Sequence, residues 1–308
     1  MALQKTEFIW QNGEFVKWDD AKAHVLSHGL HYGSGVFEGI RCYETPRGTA
    51  IFRLSEHMAR LQRSARLHKM EIGYSQQELC EAAKELVRKN GLHSGYIRPI
   101  VFYGYGVLGV NPAGCGLEHA IACWPWGAYL GVEGMEKGIK VRTATWQRIS
   151  SSALPMRAKA TGQYINSIAA KLEALEAGAD EALMLNGDGM VAEGSGENLF
   201  AAKDGALYTP PLESGILEGI TRDCILKIAK SAGIPAFEAG MTRDFLYCSD
   251  EAFFTGTAAE VTPIRQVDGI AIGEGARGPL TKSLQETYLS IARGTADAPR
   301  SENWLEYV

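Results

Sequence analysis

The chain has 308 residues, 45% hydrophobic and 22% charged, with a formal net charge of −5. That is an ordinary soluble globular composition, long enough for two domains. It argues against nucleic acid as the main partner, a membrane-spanning apolar run, and a disulfide or zinc framework, because the six cysteines are scattered without a Cys-x-x-Cys pair.

The opening residues Met1-Ala2-Leu3-Gln4-Lys5-Thr6-Glu7 lack the apolar stretch of a secretory leader, so a reduced, cytoplasmic protein is expected. Phe8-Ile9-Trp10 and Phe15-Val16 flank Asn12-Gly13 and read as a hairpin. Val36 to Tyr43 reads as one strand. The spacing of Met58, Leu61 and Ala65 predicts a helix from Ser55 to about His68. Ser75-Gln76-Gln77-Glu78 has the form of a capping box opening a helix that carries Leu79, Ala82, Ala83, Leu86 and Val87 inward and stops at Asn90-Gly91. Strands are expected over Tyr96 to Tyr103 and His119 to Trp126, joined by a turn-rich loop over 104–114, a length common in functional loops.

Four glycines in 127–138 suggest a linker between a small α/β domain at 1–126 and a larger domain at 139–308. The second region opens with a strand from Ile139. A helix over Tyr164 to Ala177 is expected to turn Ile168, Ala169, Leu172 and Leu175 inward. Strands follow near 181–185, 190–193 and 198–202. Helices near 220–232 and 280–293 enclose strands near 252–255 and 262–267. Two mixed blocks of strand and helix imply an α/β (mixed α+β) fold with a site in the cleft between them.

Three chemical signals stand out. Lys159, flanked by small residues and followed by Tyr164, is placed as Schiff-base chemistry requires, with one constrained amine beside groups that tune a carbonyl cofactor. Taken alone, a single lysine is ordinarily a solvated surface charge. Second, Gly219-Ile220-Thr221 opens an apolar-periodic helix whose first N–H groups and hydroxyl suit a phosphate, and Gly256-Thr257 follows a buried strand in similar fashion. Third, Arg60 can offer a bidentate fork to the same anion, although Arg53, Arg63 and Arg66 nearby make a surface charge the plainer reading. Gly33-Ser34-Gly35 and Gly194-Ser195-Gly196 do not extend to a dinucleotide fingerprint, and common hydrolase motifs are missing.

Together these segments resemble the branched-chain amino-acid aminotransferases, fold-type IV enzymes that depend on pyridoxal 5′-phosphate (PLP). The likeness is nearly full length. It runs from Tyr32-Gly33-Ser34-Gly35-Val36-Phe37-Glu38-Gly39-Ile40-Arg41 through Arg60-Leu61, Tyr96-Ile97-Arg98-Pro99, Gly109-Val110-Asn111-Pro112 and Pro125-Trp126-Gly127-Ala128-Tyr129. It continues in Lys159-x-x-Gly162-x-Tyr164, Glu193-Gly194-x-Gly196-Glu197-Asn198, Gly219-Ile220-Thr221-Arg222 and Gly256-Thr257-Ala258-Ala259-Glu260. The segments 104–108 and 214–216 follow no fixed family pattern.

The resemblance implies a two-domain fold-type IV architecture with the active site in the interdomain cleft. It makes Lys159 the residue that carries PLP as a Schiff base and shuttles a proton between Cα and C4′. Glu193 would meet the pyridine nitrogen and Tyr164 the phenolic oxygen. Leu217 would pack on the ring, while Arg60, Gly219, Ile220, Thr221, Gly256 and Thr257 would hold the phosphate. Substrate contacts are implied for Tyr32, Phe37, Gly39, Tyr96, Arg98, Leu108, Val110, Trp126, Tyr129, Thr257, Ala258 and Ala259. Without the likeness, Phe37, Trp126 and Tyr129 would be read as core packing. The implied reaction is transamination of L-leucine, L-isoleucine and L-valine with 2-oxoglutarate, in a homodimer or higher homo-oligomer, with no metal. D-amino-acid aminotransferase and aminodeoxychorismate lyase share the fold, and a non-catalytic PLP-binding protein is the alternative of another class. The Tyr96-x-Arg98 pair and Gly256-Thr257-Ala258-Ala259 favour the branched-chain group.

Overall fold

The computed structural model describes residues 3–127 and 131–308. Two sheets, each with its own helices, meet along a cleft. The first is an eight-stranded antiparallel sheet. Strands Phe8–Gln11 and Glu14–Lys17 form the expected hairpin, with Asn12 and Gly13 both at positive φ (50° and 97°), as a tight two-residue turn demands. Gly95–Tyr103 lies centrally, paired with Leu117–Trp124 on one side and Ile40–Thr45 on the other.

The single strand expected over Val36 to Tyr43 is divided into Gly35–Phe37 and Ile40–Thr45. Both pieces pair with Gly95–Tyr103 in one register, Phe37 opposite Ile100 and Ile40 opposite Ile97. Glu38 N–H donates to the Pro99 carbonyl at 2.9 Å, but proline has no N–H to return, so the ladder lapses at Glu38-Gly39. Helices Leu54–Leu67 and Gln76–Lys89 cover this sheet and bury Met58, Leu61, Ala65, Leu79, Ala83, Leu86 and Val87. Ser75 and Glu78 close the capping box in both directions.

The second sheet has nine strands in mixed orientation, with Ile139–Thr143 parallel to both Glu181–Leu185 and Glu260–Val267. Helices Ile220–Ser231 and Pro279–Ala292 pack with Phe200, Phe253 and Trp304 into its main core. Strand Leu305–Tyr307, inside the larger of the two expected regions, instead completes the first sheet beside Gly48–Phe52. Of the expected linker 127–138, residues 131–137 are helical, closed by a Glu133–Lys137 pair and fastened where Gln285 Nε2 donates to the Met135 carbonyl at 3.1 Å.

The Tyr164–Glu176 helix corrects the sequence expectation about its faces. Ile168, Leu172 and Leu175 are 52%, 54% and 49% exposed, and Ala169 is only half-buried. The buried face is Ser167, Ala170 and Ala174, set against Ala144, Ala182 and Met184. Small side chains let the helix sit close to its sheet, and that close approach leaves the bulky aliphatic stripe outward.

Candidate active site

The cleft holds a cavity of about 190 Å³. Two contacts join the segments on either side of it. Gly33 carbonyl accepts from Gly162 N–H at 3.0 Å and from the Thr161 hydroxyl at 2.7 Å. A Cβ on Gly33 would come within 2.8 Å of Gly162 Cα, so both glycines of the two motifs are needed for this approach. Next to it, Lys159 N–H donates to Ser64 Oγ (3.0 Å) and its carbonyl accepts from Phe37 N–H (3.0 Å). The lysine backbone is thereby clamped between the first sheet and the Leu54–Leu67 helix. Its ammonium donates to Tyr164 Oη at 2.5 Å and lies 4.7 Å from the centre of the Phe37 ring.

Glu193 stands on the Val191–Gly194 strand, 5% exposed. Asn198 Nδ2 and Leu217 N–H both donate to its Oε2, at 3.0 and 3.1 Å. Arg148 Nε is 2.8 Å from Oε1, a close ion pair within the protein. Burial pushes the Glu193 carboxyl up, and Arg148 is the main influence against it. Glu197, buried nearby, is pushed up to about 8, first by burial and then by the charge of Glu181.

Also bordering the cavity, helix Ile220–Ser231 begins at Gly219 with no side-chain cap, leaving its first N–H groups free of a side-chain acceptor. Thr221 and Arg60 face the same space, 3% and 4% exposed. Arg60 is gripped by Glu38 through Nε (2.7 Å) and Nη2 (2.9 Å), and its Nη1 donates to the Glu218 carbonyl at 2.8 Å. His57 Nδ1 lies 2.7 Å from the same carboxylate. Burial by itself would raise the Glu38 carboxyl, but Arg60 and His57 outweigh it and hold it well below the usual range. Uncapped N–H groups, a hydroxyl and a fixed guanidinium make this part an anion receptor. With an amine and a buried carboxylate lining the same cavity, the donor set fits a phosphorylated pyridine aldehyde.

The wall towards the first sheet carries Phe37, Gly39, Tyr96, Arg98 and Trp126. A Cβ on Gly39 would fall 1.8 Å from the Tyr96 hydroxyl, so this position must lack a side chain. Arg98 lies 5.0 Å from the centre of the Phe37 ring, with its Nε buried and unpartnered. Trp126 meets Tyr96 edge to face at 4.3 Å. Leu217, Gly219, Ile220, Thr221, Gly256, Thr257 and Ala258 line the remainder. Ala259 is buried behind them. Tyr32, Leu108 and Val110 lie outside this cavity and are exposed, and Tyr129 lies outside the described residues.

Sequence reasoning missed four supports. Asn198 and Glu38 stand inside the motifs of the resemblance without a role assigned to them, and Arg148 and His57 meet Glu193 and Glu38 only through folding. Arg41, buried, donates to the carbonyls of Thr257, Ala258 and Gly127 and so holds the 257–258 turn from behind. A charged residue inside an apolar strand, as in Gly39-Ile40-Arg41-Cys42, was the available signal.

Residues 35–267 match the family described as amino-transferase class IV. The branched-chain-amino-acid aminotransferase of Escherichia coli K12 is 47% identical over 309 aligned positions, covering 100% of this chain and 99% of that one. That of Pseudomonas aeruginosa is 53% identical over 290, with 94% of each chain covered. The solved structure of the E. coli branched-chain amino acid aminotransferase superposes with a TM-score of 0.95 at 48% identity, covering 98% of this chain and 99% of that one. The T.th. branched-chain amino acid aminotransferase, solved with pyridoxamine 5′-phosphate, gives 0.94 at 51%, with the same coverage. With the family match spanning most of the chain and the relatives 94–100% of it, this protein belongs to the class IV aminotransferases.

Proposed function

We propose that this protein is a PLP-dependent branched-chain amino-acid transaminase, exchanging the amino group of L-leucine, L-isoleucine or L-valine with 2-oxoglutarate. The observation that carries the reading is the Lys159 ammonium against Tyr164 in a cavity that Glu193, Arg60, Thr221 and an uncapped helix start also line. When bound, PLP supplies an electrophilic aldehyde carbon and a ring that draws electron density from the substrate Cα.

This chain's own residues supply the rest. Lys159 Nζ is the amine that anchors the cofactor and afterwards moves a proton at the substrate Cα. Tyr164 Oη orients that amine and bonds the phenolic oxygen. Glu193 Oε2, fixed by Asn198 and Leu217, holds a proton on the ring nitrogen. Arg60, Gly219, Ile220, Thr221, Gly256 and Thr257 bind phosphate, while Leu217 packs against the ring. Tyr96 and the 257–259 turn receive the α-carboxylate. Phe37, Gly39 and Trp126 form the largely aromatic wall that receives an aliphatic side chain and excludes water. Arg98 meets the distal carboxylate of glutamate, so one pocket serves both partners of the exchange.

The two sheets support a division into domains near 1–126 and 139–308, except that strand Leu305–Tyr307 returns to the first sheet. The outward stripe of Ile165, Ile168, Leu172 and Leu175, with exposed Tyr32, Leu108 and Val110, supports a homodimer or larger assembly in which a neighbour covers these faces. Six free cysteines agree with a cytoplasmic setting, and no helix among the described residues is long and apolar enough to cross a membrane. The test is direct. Purified protein with PLP should convert L-leucine and 2-oxoglutarate to L-glutamate, with D-alanine and aminodeoxychorismate inert. Turnover of either of the last two in preference to L-leucine would overturn the assignment.

A further inference from the structure

Among the groups lining the cavity, Arg148 has no role in the account above, yet its placement is unusual. It belongs to the irregular stretch after the Ile139–Thr143 strand, pinned where its N–H donates to the Leu185 carbonyl at 2.7 Å. The side chain is more than nine-tenths buried and borders the cavity. Its Nε and Nη1 have no in-line acceptor, although Glu193 Oε1 stands 2.8 Å from Nε. Arg148 therefore meets a carboxylate on one side only and keeps Nη1 unspent, whereas the forks of Arg41 and Arg60 are taken up by backbone carbonyls and Glu38.

We propose that Arg148 is a positioning residue that decides on which side of the Glu193–cofactor hydrogen bond the proton resides. The inference rests on Glu193 facing the ring nitrogen. A carboxylic acid bonded to a pyridine and a carboxylate bonded to a pyridinium have the same composition and the same total charge. They differ only in where one proton sits. The nearby guanidinium favours the arrangement with negative charge on Glu193, because that charge lies nearest to it.

The other groups around Glu193 divide. Asn198 Nδ2, Leu217 N–H and the Lys159 ammonium favour the carboxylate, whereas Glu197 disfavours it when ionised. Burial also works against the carboxylate, and Arg148 is the largest single opposing influence. At an effective dielectric of about 20, a unit charge about 4 Å from a carboxylate favours its ionised form by roughly 1,000-fold, and the same charge's weaker repulsion of the more distant pyridinium takes back part of that.

The experiment uses holoenzyme reconstituted with PLP isotope-labelled at the ring nitrogen, whose magnetic resonance position separates pyridinium from pyridine. Wild type should show pyridinium. Arg148→Met should move the signal towards neutral pyridine, and Arg148→Lys should restore most of it. A pyridinium signal unchanged in Arg148→Met overturns the proposal, as does a Lys variant that behaves like Met. If the Met variant loses its cooperative melt, Arg148→Gln carries the same comparison. Failure of wild type to bind PLP would instead bring down the functional reading itself, a result seen before any variant is made.

Discussion

Around the cavity, Lys159, Glu193 and Arg60 are each held by two or more partners from distant parts of the same chain. On the first sheet's surface, by contrast, Leu108 and Val110 are 56% and 89% exposed, and their loop is tied back where His28 Nε2 lies 2.8 Å from the Gly109 carbonyl. The difference teaches which part of the chemistry one chain can organise by itself. Groups that handle charge next to the cofactor site are fixed before any ligand arrives, so little reorganisation is left for binding. Leu108 and Val110, two of the apolar residues implied to shape substrate choice, are left largely to solvent.

The sharpest way to break this comparison is at its most constrained residue. Lys159→Ala should lower the L-leucine half-reaction by about 10⁴-fold or more, because the group moving the proton is gone, while non-covalent PLP binding persists. Borohydride treatment followed by intact-mass measurement checks the second half, since PLP still fixed to the variant would place the attachment elsewhere.

Arg60→Met comes next. Losing charge-assisted hydrogen bonds should weaken PLP binding roughly 10- to 150-fold in an absorbance titration, with pyridoxal, which lacks the phosphate, affected far less. Glu38 would be left buried without its fork, at a cost of about 3–5 kcal/mol in stability. An unchanged melt would show that Glu38 is satisfied in some other way.

Arg98→Met sharpens the contrast between substrates. The glutamate half-reaction should fall about 100-fold more than the leucine one, on the scale of a buried carboxylate losing its cation. Equal losses in rapid-mixing traces would make Arg98 a support for Tyr96 and Phe37 instead.

The smallest effect concerns Glu197. Its folded pKa of about 8 lies above the ordinary carboxylate value of 4.5, so the folded protein binds the extra proton. Stability from this group is therefore complete below about pH 4.5 and falls as pH rises to about 8. Glu197→Gln should flatten that decline in urea melts taken across the interval. A slope equal to wild type would mean that the proton resides on another group.

Much of this organisation was legible in the sequence, for identifiable reasons. The capping box at Ser75 and the Asn12-Gly13 turn are local devices whose partners lie within a few residues. Lys159, Tyr164 and the Gly219-Ile220-Thr221 helix start were found because their chemistry is written in short motifs. Glu38, Arg41 and Arg148 escaped because each acts on partners far along the chain, where no spacing rule reaches. The Tyr164–Glu176 helix misled for another reason. Apolar periodicity marks the face that avoids water without saying whether the cover comes from the same chain, and here alanines took the inner side.

The Leu305–Tyr307 strand has a bearing on synthesis. Its pairing partner Gly48–Phe52 leaves the ribosome long before it does, and Glu306 also supplies the acceptor for Ser55 N–H and Oγ, each at 2.7 Å. Until residue 307 emerges, the 48–52 strand presents an open hydrogen-bonding edge lined by Ala50, Ile51 and Phe52, and the start of the following helix lacks its carboxylate. Nascent chains therefore carry this open edge from the emergence of residue 52 until that of residue 307, and anything that obstructs residues 305–307 would prolong the exposure.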